Sequence, residues 1–315
     1  MVARFLLRCM VLGIPAVAMV VLYCLPQARY FPAPRITGNI SVNEKLCFAK
    51  DHFPDSVDVL AIGSSMTLNN LNSDVVMAHF GNLRYLNAGA WAIGASELEV
   101  LGPALSARFH PAMVIVSTNL MDFEGQGNIL LGDSASIAHG LRDPKVLGYF
   151  RHWDAPYFLR EMETNRIRFN DTDNYEYLGY DAHGGATLSI PWERISQERY
   201  LKPPPEATDL APERYAAFKR FADDLHRQGI RLVVFASAYR NGIRTADNDA
   251  LQQAHVARRR SLIGPVGGVL IDANQRRWDD SLYVDSSHFG PEGSRAYTGY
   301  CLDQLARSLE HDQHR

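Results

Sequence analysis

The 315-residue chain lacks the local motifs that mark most cofactor and metal enzymes. There is no G-x-S-x-G elbow, which argues against an α/β-hydrolase. There is no H-E-x-x-H and no C-x-x-C pair, and His110, His139, His152 and His183 show no metal-ligand spacing. No metal or other cofactor is therefore expected. An excess of one charge is missing too. The formal net charge is -3 with acids and bases interspersed, so no basic block addresses nucleic acid and no acidic run predicts a disordered tail. Internal repeats and low-complexity tracts are absent. Cysteines number only four, and long apolar runs only one.

That run, Cys9 to Leu25, is about 17 residues long, near the lower limit for spanning a bilayer, and follows Arg4 and Arg8. Pro26 and Arg29 end it. Basic residues on its N-terminal side predict a signal anchor over residues 1–29, with the remainder extracytoplasmic, or periplasmic in a Gram-negative cell. A cleaved signal peptide is the competing reading. Ala16-Val17-Ala18 resembles a cleavage site, but cutting there leaves Met19–Leu25 as an apolar stub, and Tyr23 is too bulky before a lipoprotein cysteine at Cys24. Cys47 and Cys301 fall outside the run. In an oxidising compartment they form either a disulfide or two buried thiols.

What is present is a globular composition, 46% hydrophobic and 21% charged, sufficient for one large domain. Residues 30–56, Pro-rich from Tyr30 to Arg35, read as a stalk leading into that domain. From residue 57 the pattern alternates. Val57–Ile62, Leu83–Asn87, Met113–Ser117, Ile230–Ala236 and Gly268–Asp272 read as buried strands. Ser96–Phe109, Pro212–Gln228, Asp247–Ser261 and a segment from Pro291 to about Leu309 read as helices. Alternation of this kind predicts an α/β fold, a parallel sheet covered on both faces over residues 57–315. Residues 123 to about 206 break the rhythm with many rings and no strong strand. A structureless loop of that length is rare, so an inserted cap is expected, with short helices at Asp143–Phe150 and Ala155–Asn165 and most rings forming its core.

In parallel sheets, functional groups collect at the carboxyl ends of strands. Gly63-Ser64-Ser65 follows the first strand, where a serine can present its hydroxyl beside a helix N-terminus, or merely cap that helix. Asp285-Ser286-Ser287-His288 precedes the last helix, where a carboxylate can orient a general-base imidazole, or a surface loop can carry both groups idly. Gly89 and Gly94 follow the second strand and Asn119 ends the third. A glycine N–H and an asparagine amide suit an oxyanion, or ordinary turns.

In this order, the four blocks resemble those of the SGNH (GDSL-like) hydrolase superfamily, over about residues 57–122 and 265–305. The resemblance implies a flavodoxin-like three-layer α/β/α sandwich and a Ser–His–Asp acyl-enzyme mechanism. Ser65 matches the nucleophile, with His288 the base and Asp285 its carboxylate. Ser65, Gly94 (or Gly89) and Asn119 match the oxyanion donors. Ser64 stands where the family often has Asp, and Leu120 follows Asn119 where another Asp is common, although Asp122 lies close by.

A domain of this type behind an anchor resembles extracytoplasmic proteins that modify surface polymers. The expected activity is an esterase or O-acyltransferase acting on an exported or cell-surface glycan, with a membrane-bound O-acyltransferase as partner. A membrane-tethered lipid esterase or lysophospholipase is the second reading. A non-catalytic subunit of a surface-polymer modification complex is the third.

Overall fold

The computed structural model describes residues 2–125 and 132–313, so positions 126–131 of the expected cap lie outside it. The chain opens with α1 (Val2–Gln27) and α2 (Ile40–His52) before the first strand, β1 (Val59–Ala61). The elements α3 (Ser65–Asn70), α4 (Ser73–Phe80), β2 (Tyr85–Asn87), α5 (Ala95–Phe109) and β3 (Met113–Thr118) follow. Next come α6 (Ser134–Arg142), α7 (Lys145–Arg151), α8 (Ala155–Arg168) and α9 (Gln197–Tyr200). The remainder is α10 (Pro212–Arg227), β4 (Arg231–Ala236), α11 (Ala246–Ile263), β5 (Val269–Asp272) and α12 (Pro291–Gln313).

The five strands pair in parallel in the order β2-β1-β3-β4-β5, the flavodoxin-like doubly wound arrangement. Side chains alternate across the sheet because the strand period is two. Leu60, Val114, Val116, Leu232 and Val234 face one core with Leu98, Leu105, Phe218 and Phe221 of α5 and α10. Val59, Ile115, Val233 and Phe235 face the other, with Tyr297, Cys301 and Leu305 of α12. Two apolar interfaces back to back make the expected three-layer α/β/α sandwich. The observed strands match the expected ones apart from ragged ends.

Three features differ from expectation. Residues 30–56 are packed into the body rather than standing off it. Pro32, Ala33 and Pro34 are buried, and α2 sends Val42, Leu46 and Ala49 into the first core. Asn39 starts that helix by accepting the Ser41 and Val42 N–H groups at 2.9 and 3.3 Å. The run Asn43-Glu44-Lys45 hid its apolar face. Lys45 is in fact buried, donating to the Gly184 carbonyl and lying 3.6 Å over the Tyr180 ring. Second, Cys47 and Cys301 are free thiols, both buried, which decides against the disulfide. Burial pushes the Cys47 thiol up to about 11. Third, α6 was not foreseen; its Ile137 and Leu141 join the first core, so the inserted segment is partly continuous with the sandwich.

The insertion otherwise leaves and returns side by side. Glu124 bridges Leu210 antiparallel, and the Ala211 N–H donates to the Phe123 carbonyl at 3.0 Å. Among the described residues no helix is long and apolar enough to cross a membrane, so the spanning helix expected of a signal anchor over residues 1–29 is not found among them.

Candidate active site

In the strand order observed here, the chain reverses direction across the sheet between β1 and β3, and ligands of such folds sit outside the carboxyl ends at that point. Ser65 follows β1 and Asn119 follows β3. Between strand and helix, Gly63 takes φ +149°, and a Cβ there would stand 2.4 Å from Thr67 Oγ1. Only glycine suits both constraints. Thr67 in turn accepts the Ser117 N–H at 3.0 Å and donates to the Ser117 carbonyl at 3.0 Å, stitching α3 to β3.

The capping role open to either serine belongs to Ser64, whose Oγ accepts the Met66 N–H at 3.1 Å. Ser65, the first helical residue, is thereby left with a free hydroxyl, and its own N–H has no intrahelical acceptor. Ser65 Oγ lies 2.8 Å from His288 Nε2. His288 Nδ1 lies 2.7 Å from Asp285 Oδ2. Asp285 Oδ1 accepts the Ser287 and His288 N–H groups at 2.8 and 2.7 Å, so both carboxylate oxygens are engaged. Burial works to raise the Asp285 pKa, but the neighbouring imidazole and these hydrogen bonds prevail and hold it below the usual range. An ionised Asp285 keeps Nδ1 protonated and Nε2 facing Ser65 as acceptor.

One residue that the motifs did not single out joins the two halves. Asn70, fully buried at the end of α3, donates to the Ser287 carbonyl at 3.0 Å and accepts the Phe289 N–H at 3.0 Å. It also donates to Ser237 Oγ at 3.2 Å. The loop is held from the cap side as well. The Tyr175 hydroxyl donates to the Val284 carbonyl at 2.7 Å, and the Ser286 N–H donates to the Arg199 carbonyl at 3.1 Å. These partners are distant in sequence and carry no local signature.

Ser65 and His288 open into a cleft of about 460 Å³ whose wall includes Trp91, Ala92, Met121, Leu188 and Arg199. The oxyanion residues are arranged less simply. Gly94 lines the cleft, but its N–H donates to Glu97 Oε2 at 3.0 Å, and Glu97 forms a buried ion pair with Arg214. The alternative, Gly89, donates its N–H to Asn87 Oδ1 at 2.9 Å. Asn119 is buried behind α3. Its Oδ1 accepts the Met121 N–H at 3.0 Å, and its Nδ2 meets Met66 Sδ at 3.2 Å, a weak acceptor. Asp122 braces this corner by accepting the Asn119 N–H at 3.0 Å. Burial nevertheless raises its pKa. Ala92, on the cleft wall, has φ +55°, a left-handed conformation that costs a non-glycine residue energy.

The triad residues are therefore brought into contact, whereas the amides of Gly94 and Asn119 have other partners in this conformation. Among the described residues no cluster of ligating side chains could hold a metal ion. No family model matches the chain, and no curated protein is detectably similar to it.

Proposed function

We propose that the chain is a serine acyl-ester hydrolase or O-acyltransferase of the SGNH (GDSL-like) type, acting on an exported or cell-surface glycan. The observation that carries this reading is the unbroken hydrogen-bonded line from Ser65 Oγ through His288 to Asp285. In the proposed reaction His288 Nε2 takes the Ser65 proton as Oγ attacks the ester carbonyl. The C–O bond of the ester then breaks, and the imidazolium returns its proton to the leaving alcohol. Water or an acceptor hydroxyl repeats the sequence on the acyl-enzyme and frees Ser65. The Ser65 N–H is the standing donor to the oxyanion. The Asn119 amide joins it by leaving the thioether of Met66, and the Gly94 N–H by leaving Glu97. No cofactor takes part in this scheme.

The two departures from the family pattern have structural roles that leave the triad untouched: Ser64 caps α3, and Leu120 is buried. This weighs against the non-catalytic reading. Attachment to a membrane through α1, with the body outside the cytoplasm and a membrane-bound O-acyltransferase as partner, belongs to the same proposal. It is supported by the exposed apolar side chains described along α1, such as Met10, Leu12 and Leu22, and not by a helix able to span the bilayer.

The apolar cleft residues Met66, Trp91, Met121 and Leu188 favour the lipid esterase as second reading. Hydrolysis of nitrophenyl esters of graded chain length, with Ser65→Ala as control, tests both. A serine-dependent maximum at acetyl supports the glycan reading, and a maximum at long acyl chains overturns it in favour of lipid. Absence of cleavage, and of acetyl transfer to glycan, overturns both.

A further inference from the structure

Most rings of the inserted segment are buried or half-buried, but Trp192 and two rings beside α7 are not. Phe150 is 79% exposed and Trp153 67%. Val146 and Leu147 are exposed with them, and α7 buries none of its residues. Val146 and Leu147 stand four and three residues before Phe150, so the three side chains share one helix face. Exposed apolar side chains grouped in this way on a folded body point to a surface that a partner or lipid covers.

The opposite side of α7 is fastened to the segment that follows α1. Gly148 abuts Pro34, where a Cβ would stand 3.0 Å from Pro34 Cγ. The Tyr149 hydroxyl donates to the Pro32 carbonyl at 2.9 Å. The Phe31 ring stacks on Phe158 at 5.1 Å, and Trp153 meets the same Phe158 at 5.2 Å. The point where α1 leaves the body is fixed too, because Tyr30 is buried and its carbonyl accepts from Asn165 Nδ2 at 3.2 Å. From Gln27 to Phe31 the chain can span at most about 14 Å. The patch therefore lies beside the emergence of α1, with Arg142, Lys145 and Arg151 exposed around it, Lys145 and Arg151 also pairing with Asp51 and Asp143.

We propose that this face of α7, with Phe150 and Trp153 at its centre, rests in the headgroup layer of the membrane to which α1 attaches the protein. The proposal rests on that attachment. Aromatic side chains favour the boundary between apolar and wet layers, and flanking cations favour anionic headgroups. Two contacts, helix and patch, would fix the tilt of the body above the bilayer, where a helix alone would leave it free to swivel.

The test uses the full chain in vesicles of phosphatidylcholine and phosphatidylglycerol, with bromine-labelled lipid as quencher of tryptophan emission. Quenching is expected in the wild type, retained in Trp192→Phe and largely lost in Trp153→Phe. A Phe150→Ser variant should weaken the quenching and leave ester cleavage unchanged. If Trp153→Phe is quenched as strongly as the wild type, the patch does not enter the lipid and the proposal fails, leaving a second copy or a protein partner as its cover. If the wild type does not float with vesicles at all, attachment through α1 fails and this proposal with it.

Discussion

Asn70 grips the backbone on both sides of His288, through the Ser287 carbonyl and the Phe289 N–H, each at 3.0 Å. Because Asn70 ends the same short helix that begins with Ser65, its side chain ties the helix of the proposed nucleophile to the loop of the proposed base. Asn70→Ala leaves both loop groups buried without partners, at a stability cost of roughly 1–3 kcal/mol for each. It should lower kcat by roughly a hundredfold, the effect of a small misplacement of reacting groups. KM should change little, since Asn70 is fully buried. Steady-state kinetics on folded variant, with Tm measured alongside, checks both.

Asp285→Asn removes the charge that holds the imidazole in its working tautomer. A fall in kcat of about 10⁴-fold is expected, with the fold intact. The folded-state pKa of Asp285 is depressed, so its contribution to stability is complete above its unfolded value and is lost as pH falls through the folded one. Acid unfolding of Asp285→Asn should therefore be less steep than that of the wild type, as followed by circular dichroism.

Glu44 behaves oppositely. It accepts the Ala33 N–H at 2.8 Å, and burial raises its pKa from 4.5 to about 7. Its protonated form stabilises the fold fully below pH 4.5, and that stabilisation is lost as pH rises through about 7. The loss is on the order of 3 kcal/mol. Glu44→Gln should abolish this decline, so its Tm should exceed that of the wild type at pH 8 and match it at pH 4.

Ala92 is held at φ +55° on the cleft wall. Ala92→Gly should gain about 1 kcal/mol by relieving the left-handed strain, and Ala92→Val should lose more than that. Urea unfolding of the pair measures the difference and its sign.

The sheet was legible in the sequence because its strands are short β-branched runs, and their carboxyl ends locate Ser65 and Asn119 without further information. His288 and Asp285 were legible because they are close in sequence and precede a helix. The clamp by Asn70 was not, since its bonds join residues more than two hundred positions apart. The cover on Gly94 escaped for a similar reason: the Arg214 that pairs with Glu97 arrives from a different helix. α2 was masked by buried polar residues whose partners, such as Gly184 and Tyr180, lie in the inserted segment.

The central claim is that Ser65 is a nucleophile activated by His288. A fluorophosphonate offered to the full chain, followed by intact-mass and peptide mass spectrometry, tests it most directly. The account predicts one covalent adduct, on Ser65, absent from Ser65→Ala and strongly slowed in His288→Ala. A wild-type chain that stays unmodified, or carries its adduct on another serine, would contradict it.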